Sequence, residues 1–418
     1  MSDAIAPAGP GAASSLSGHS ANPRPQPVTG PVSNRAGRYA LGALRRGGRQ
    51  AAGVLLEGLV RVAAVGAPRS PVPPADPSSI FVLRNNDIGD LLVITPLFDA
   101  LRRRFPAALI AAGVGDWSRE VLRHNPFVRE VLPVNAPWFN KYRQSRGPAG
   151  SARYVWRSPE ALALTQRRFQ VGIDVLGSSW GALLLLRAGI PYRLGVRGYA
   201  GGHSAAQATV PFDPDLHVGR AALRFAELLG ASDLPPCRPQ LFLTAAERDA
   251  AERLWAAAEP GGRHRPRLLL GPGGGVAARC WPAPSFAALA RLLAGPGGPQ
   301  VLVVGGPQEE ELVAAVVAAS AGARRLPIAP SLREVFALAA TADLVVCNSS
   351  MLLHAAAAFA RPTLVLLGPA FASARKHQAQ WGYPGHSKSL GKEPGVRSRL
   401  FTSEEARAAI QEELPLCS

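Results

Sequence analysis

Three short polar clusters follow apolar runs and carry residue types that could do chemistry. The first is Arg84-Asn85-Asn86-Asp87-Ile88-Gly89-Asp90, directly after Ile80 to Leu83. Gly89 permits a tight turn, which puts Asp90 near the start of the next helix. A carboxylate there can take a proton from a hydroxyl, or it can serve as an N-cap, a position Asp favours. Asp87 reads as a turn former. The second cluster is Gly271-Pro272-Gly273-Gly274-Gly275 with Arg279 and Trp281-Pro282. A glycine-rich turn lets backbone N–H groups approach a phosphate, and Arg279 can add charge to a departing pyrophosphate. A flexible connection would look the same. No Lys-Ser or Lys-Thr follows, so this is not a P-loop. The third is Asn348-Ser349-Ser350-Met351-Leu352-Leu353-His354. Ser349 and Ser350 can cap a helix and leave its positive end to an anion. His354 lies four residues past Ser350, on the same helix face. It either orients this loop and touches a nucleotide, or is a satisfied structural histidine. A fourth string, Asp213-Pro214-Asp215, has the look of a metal-binding DxD, but its place between a strand end and a helix start favours turn and cap roles.

Open parallel sheets bind ligands beyond the carboxyl ends of their strands, so the next question is which elements stand behind these clusters. Strands are expected at Ile80 to Leu83, Leu109 to Val114, Val128 to Val134, Val171 to Val175 and Tyr192 to Gly195. Helices are expected through Ala100 to Phe105, near Ser118 to His124, at Trp180 to Ala188 and from His217 to Leu229. A second series follows Ala231 to Pro239. Its strands are Arg267 to Leu270, Gln300 to Val304, Asp343 to Cys347 and Thr363 to Leu367. Its helices are Ala245 to Ala258, Phe286 to Leu293, Glu309 to Ala319, Leu332 to Ala340, Leu352 to Phe359 and Ser403 to Leu414. Alternation of this kind predicts an α/β protein with parallel sheets in two successive Rossmann-like halves. The expected division is an extension and linker at 1–78, a first domain at 79–235 and a second at 236–418.

One stretch, 137–168, breaks the alternation. It reads as a basic, aromatic insertion with Trp138, Lys141, Tyr142, Arg153, Tyr154, Trp156, Arg157 and Arg168. At the amino end, residues 1 to about 38 are rich in Ala, Gly, Pro and Ser and are expected to be disordered. From Arg45 to Val62, Ala52, Leu55, Leu56, Leu59 and Val62 recur at helical spacing, with Arg46, Arg49 and Arg61 mostly elsewhere on the wheel. Residues 1–72 hold eight arginines against Asp3 and Glu57. Such a helix either lies on an anionic membrane or packs on the folded body.

The 418 residues carry a formal charge of +17 and are 47% hydrophobic. The charge points toward polyanions, although nearly all basic residues are Arg in an Ala-, Gly- and Pro-rich chain, which also fits compositional bias. The four cysteines form no CxxC pair, so neither a zinc spacing nor a disulfide framework is expected. No signal peptide and no run of about 18 apolar residues is visible. The expected location is the cytoplasm, with peripheral contact to the inner face of the cytoplasmic membrane.

Taken in order, these segments resemble glycosyltransferase family 9, the heptosyltransferase-like enzymes of bacteria. The match runs through VLRNNDIGDLLVITPLFDALRRRFP, VGIDVLGSSWGALLLLRAGIPYRLGV, LLLGPGGGVAARCWPAPSFAALARLL, VLVVGGPQEEE and SLREVFALAATADLVVCNSSMLLHAAAAFARPTLVLLGP, across most of 80–369. The resemblance implies a GT-B fold, two Rossmann-like domains facing across a cleft. It also implies inverting, metal-independent transfer of a heptose-like sugar from a nucleotide-diphosphate donor to a lipopolysaccharide-type acceptor, with no cofactor. It makes Asp90 the general base and Arg279 a diphosphate contact, and turns Glu309 and Glu310 toward the ribose. The donor set is then Gly273, Gly274, Arg279, Glu309, Glu310, Asn348, Ser349, Ser350 and His354. The acceptor set is Arg84, Asn86, Arg153, Arg157 and Arg168, and no residue is assigned to metal. Many members read Asn-Asp-Ser-Gly where this chain has Asn348-Ser349-Ser350-Met351, so the sugar need not be ADP-heptose.

Three other readings compete. An epimerase could share the architecture and would turn over donor alone. A non-catalytic binding protein would hold donor without transfer. A nucleic-acid binder would suit the charge, but no nucleic-acid module is present.

Overall fold

The computed structural model describes residues 53–144, 147–258, 265–293, 297–320 and 322–413. The stretch expected to be disordered, and the helix residues before 53, lie outside the described residues. The apolar runs form two parallel sheets of six strands. The first comprises β1 (Ser79–Leu83), β2 (Leu109–Val114), β3 (Glu130–Pro133), β4 (Val171–Asp174), β5 (Tyr192–Arg197) and β6 (Ala208–Pro211), in the order β3-β2-β1-β4-β5-β6. The second comprises β7 (Arg267–Gly271), β8 (Gln300–Val303), β9 (Arg324–Arg325), β10 (Leu344–Cys347), β11 (Thr363–Leu366) and β12 (Ser387–Leu390), in the order β12-β11-β10-β7-β8-β9. Read from the other edge, the second sheet has the same doubly wound order as the first. Each sheet reverses its winding between its first and fourth strands. There Leu83 pairs in register with Asp174, and Gly271 with Cys347. Such switch points are where open parallel sheets bind their ligands.

The central strands are buried along their length, as expected of parallel strands covered on both faces. The edge strands β6, β9 and β12 were not anticipated. They are short and partly polar (ATVP, RR and SKSL), because an edge is half solvated and tolerates polar residues.

Helix α1 covers 53–65. It is followed by α2 (Ile88–Val93) and α3 (Thr95–Arg104). Pro96 stands at the start of α3, where a missing N–H costs nothing. The supposed insertion at 137–168 is a crossover. From β3 at the sheet edge the chain must return to β4 beside β1, and α4 (Gly147–Arg157) and α5 (Pro159–Gln166) carry it over one face. Trp138 and Val155 are buried on that face with Leu183 and Leu184 of α6 (Ser179–Arg187).

Among the described residues of the α1 face expected from spacing, only Leu56 is turned to the body, where it joins the buried Val60; Leu55, Leu59 and Val62 point to solvent. Glu57 docks the helix by accepting the N–H groups of Gly202 and Ser204, the latter at 2.9 Å. Burial works against its charge, but these donors and His203 win, and its pKa lies below the ordinary glutamate value.

Helices α7 (Val218–Leu228), α8 (Ala245–Ala258), α9 (Ala283–Leu293), α10 (Glu310–Ala318) and α11 (Leu332–Thr341) follow. The halves meet where α2 packs on α12 (Met351–Ala358), with Leu91 and Leu92 in one core cluster with Leu352 and Leu353. Helix α13 (Ala374–Trp381) adds a second seam: Lys376 pairs with Asp215 at 3.2 Å, and Gln380 donates to the Pro214 carbonyl. The Asp213-Pro214-Asp215 turn is thus engaged with the other half of the molecule.

Candidate functional site at the junction of the two halves

At the carboxyl end of β1 the backbone turns through three buried residues into α2. Asp87 is the N-cap, in extended conformation, and Asp90 is the third helical residue. The Asp87 N–H donates to Asp90 Oδ2 at 3.3 Å, which is half of a capping box. Arg84 folds over this turn. Its Nη2 meets Asp90 Oδ1 at 2.9 Å and its Nε donates to the Asp90 carbonyl at 3.2 Å. The Asp90 carboxylate is thus fixed in direction yet partly exposed. With two contacts and about four lone-pair sites, it keeps acceptor capacity for a proton. Behind Arg84 stands Asp174, buried at the end of β4, which accepts the Ser178 N–H at 2.8 Å. Burial raises its pKa, against the pull of the Ser178 and Gly177 N–H groups and, more weakly, of the Arg84 charge.

Gly89 does not make the turn expected of it. It lies inside α2, and its lack of a side chain serves close approach: a Cβ there would lie 3.2 Å from His354 Cδ2 and 3.4 Å from Met351 Cα. The two helices therefore bring the Asp90 turn directly against the third cluster.

That cluster follows β10. Asn348 is buried and fully engaged: Oδ1 accepts the Trp281 N–H at 2.8 Å, and Nδ2 donates to the carbonyls of Pro272 at 2.6 Å and Gly273 at 3.1 Å. It clips the glycine loop to the strap 277–280 and has no donor hydrogen left for a ligand. Ser350 is the N-cap of α12, and the Ser349 hydroxyl pairs with His377 Nε2 at 2.8 Å. His354 Nδ1 meets the Tyr383 hydroxyl at 2.6 Å. Burial pushes the pKa of His354 down to about 3 and that of His377 to about 4. Both are neutral at ordinary pH, so neither can supply positive charge to a phosphate.

Charge comes from elsewhere. Arg279 is exposed on the strap, and its side chain takes no partner among the described residues. The strap itself is held by the Gly368 N–H, which donates to the Arg279 carbonyl at 3.0 Å. Lys141 arrives from the first half. Its N–H donates to Asp87 Oδ1 at 3.3 Å, and its Nζ lies 3.5 Å from where a Gly275 Cβ would stand. Tyr142 stacks on Trp117 at 4.9 Å, and Asn86 holds the same loop by donating to the Phe139 carbonyl at 2.8 Å. Burial raises the pKa of Tyr142, helped by the fields of Asp87, Glu309 and Asp90. One phenol therefore senses carboxylates of both halves. Burial likewise raises the pKa of Asp87.

Glu309 caps its own turn by accepting the Gly306 N–H at 3.0 Å, and its carboxyl occupies the space above Gly273, 2.2 Å from where a Cβ would be. Gly273 therefore makes room for Glu309, while Gly274 makes room for Cys280 Sγ.

The structure thus gathers Asp90, Gly273, Gly274, Glu309, Ser349 and Ser350 around one crevice, with Arg279 on its rim. Other expected site residues need correction. Arg84 is buried against Asp90, so it positions that carboxylate and does not face an acceptor. Asn86 is a loop anchor whose Oδ1 is buried without a partner among the described residues. Asn348 and His354 are held within the protein. Glu310 points to the far edge, 3.9 Å from Arg325 of β9. Arg153 and Arg157 are exposed on α4. Arg168 lies just before β4, at the amino end of the sheet and so opposite the crevice. Its neighbour Arg167 pairs with Glu130 at the start of β3. Lys141, Tyr142 and Trp117 were not assigned to the site, because only the fold brings them there, the first two on the crossover and Trp117 on the helical turn after β2. Among the described residues no group of three His, Cys, Asp or Glu side chains could hold a metal ion.

The model of glycosyltransferase family 9 (heptosyltransferase) matches residues 161–376, just over half of the chain. A lipopolysaccharide heptosyltransferase 2 of Salmonella typhimurium is 28% identical over 304 residues, which is 69% of this chain and 82% of that protein. A family 9 glycosyl transferase from Veillonella parvula superposes with a TM-score of 0.65 at 17% identity, over 82% of this chain and 99% of that one. The ADP-heptose lps heptosyltransferase II of E. coli gives 0.62 at 23% identity, over 80% and 98%. With two doubly wound sheets meeting at a crevice and a family match across its larger part, the chain belongs to glycosyltransferase family 9 and is a glycosyltransferase of the GT-B fold.

Proposed function

We propose that this glycosyltransferase moves a heptose-like sugar from a nucleotide-diphosphate donor to a lipopolysaccharide-type acceptor, with inversion and without a metal ion. The observation that carries the reading is the Asp90 carboxylate. Arg84 and the Asp87 N–H aim it, in a half that approaches the other through Lys141 at Gly275 and through Gly89 at Met351 and His354, just after the Ser349–Ser350 turn. Asp90 takes the proton of an acceptor hydroxyl, whose oxygen attacks the anomeric carbon. The bond to the diphosphate breaks on the opposite side, so one displacement inverts the configuration. Charge on the departing diphosphate is met by Arg279, by Lys141 and by the amino end of α12. Glu309, beside Gly273, accepts hydrogen bonds from the nucleotide ribose. The names of the curated relatives support the acceptor class. An acceptor of that kind is lipid-borne, so the enzyme works in peripheral contact with an anionic membrane.

The test is a screen of nucleotide-diphosphate sugars with a lipopolysaccharide-core acceptor, read by product mass and anomeric NMR. Asp90→Asn should lower kcat by roughly 10²–10⁴-fold while leaving donor Kd within about threefold, and a chelator should leave the parent rate unchanged. Donor binding with no transfer to any acceptor, or consumption of donor alone, would overturn the reading.

A further inference from the structure

Helix α1 has two apolar sides, and the body covers one. Leu56, Val60, Ala63 and Ala64 pack into the core beside α6, while Glu57 is clamped at Gly202 and Ser204. On the opposite side Val54, Leu55, Leu59, Val62 and Val65 stand 73%, 76%, 49%, 71% and 85% exposed. A surface helix normally shows polar residues to water. Here five apolar side chains at helical spacing are held outward by a helix that cannot roll over, since its other side is occupied.

The placement is directional. The Gly202–Ser204 clamp follows the carboxyl end of β5, whereas the chain leaving α1 meets the amino end of β5, through the Ser70 N–H on the Pro191 carbonyl at 3.0 Å and Arg193 on the Pro68 carbonyl at 2.8 Å. Helix α1 therefore runs antiparallel to β5, and its first turn lies at the end of the sheet that carries Asp90. At that same end the rings of Tyr199 and Phe212 meet at a tilt, 4.7 Å apart, and are both exposed, beside the exposed Arg197.

We propose that the outward face of α1 is the docking surface by which the enzyme seats itself on an anionic lipid bilayer, its site turned toward the acceptor. The assignment of the acceptor rests on the transferase reading; the surface itself does not. Charge selects the occupant. Arg61 and Arg69 are exposed on and just after the helix, Arg45, Arg46 and Arg49 precede it, and the chain carries +17. A second copy would bring like charge against like, whereas an anionic surface gains from both the apolar row and the arginines. Exposed aromatic pairs suit the headgroup boundary.

The experiment uses the full chain and a Leu55→Ser, Leu59→Ser, Val62→Ser variant, whose positions are exposed and should leave the melting temperature unchanged. Co-sedimentation is measured with phosphatidylglycerol–phosphatidylethanolamine vesicles and with phosphatidylcholine alone. The parent should pellet with the anionic vesicles only, and the variant should bind them at least about tenfold more weakly. Turnover on a delipidated acceptor should be equal for both, and turnover on a vesicle-embedded acceptor should fall in the variant. If no acceptor is turned over, the transferase reading fails while the vesicle result still decides the docking surface. The proposal is overturned if the parent ignores anionic vesicles. It is overturned equally if the variant binds them as well as the parent, or if the parent is a dimer that the variant splits while neither binds lipid.

Discussion

At the scale of single residues, the crevice works by dividing labour among charges. Asp90 has its direction fixed by Arg84, and Arg84 is balanced in turn by Asp174 behind it. The buried histidines beside the Ser349–Ser350 turn are neutral, so in the proposed reaction the charge of a diphosphate is left to Arg279 and Lys141. Lys141 belongs to the first half yet reaches the glycine loop of the second. Lys141→Ala should therefore weaken binding of a nucleoside diphosphate about 5- to 30-fold, and the loss should shrink at high salt, where the charge is screened in the parent too. Calorimetry at two ionic strengths checks this. An equal affinity for parent and variant at low salt would remove Lys141 from the site.

At the scale of elements, the strap 277–280 depends on a glycine far away in sequence. A Cβ on Gly368 would stand 2.2 Å from the Cys280 carbonyl oxygen and 2.6 Å from the Arg279 carbonyl carbon. These are backbone atoms and cannot be relieved by rotating a side chain. Gly368→Ala should displace the strap and Arg279 with it, lowering the melting temperature and weakening donor binding by about tenfold or more, as a thermal scan and a donor titration would show. The clash at Gly273 differs, because the atom met is the end of the Glu309 side chain. Gly273→Ala should spare stability and raise donor KM by turning Glu309 away. Together the two variants separate support of the loop from contact with the nucleotide.

At the scale of the whole molecule, the seam between the halves is sensitive to acid in a definite order. His217, His354 and His377 lie along it, with His354 bonded to Tyr383 and His217 set edge-on to the same ring at 5.3 Å. Burial pushes their pKa values down to about 4, 3 and 4. The unfolded chain binds protons to these rings below about pH 6.5 while the folded chain does not. Stability should hold above about pH 6.5 and fall as the pH drops from there toward 4, by an amount on the order of several kcal/mol. The Arg333–Glu247 pair acts later. Arg333 grips both oxygens of Glu247, the Phe242 carbonyl at 2.6 Å and, across the seam, the Glu120 carbonyl at 3.2 Å. Chiefly through that hydrogen-bonded Arg333, the Glu247 pKa is lowered to about 2, so its contribution is present above about pH 4.5 and is lost as the pH falls toward 2. Denaturant midpoints at pH 8, 6.5, 5 and 4 should decline from the second value onward, and His354→Gln should flatten the decline. A midpoint constant from pH 8 to 5 would contradict this account of the seam.

The residues by themselves determined the two series of strands and helices and the three clusters at strand ends. Buried stretches of parallel strand such as IFVL, LLLG and LVVC are unbroken apolar runs, and glycine and polar residues gather where a strand stops. Order of segments along the chain carried the family likeness for the same reason. Edge strands left little trace, because RR and SKSL are half solvated and need no apolar signal. The crossover at 137–168 looked like an insertion because its meaning is topological: only the return from β3 to β4 explains it. Side-chain pairing was likewise decided by the fold. Arg84 and Asn86 stand in the right cluster, but burial gave one to Asp90 and the other to the 138–142 loop. Asn348 became a clip because three backbone groups converge on it, and Arg168 fell at the wrong end of its strand. The outward face of α1 was hidden in the same way. Spacing gave the helix one apolar face, but packing decided which of its apolar residues to bury, and it left a row of them at the surface.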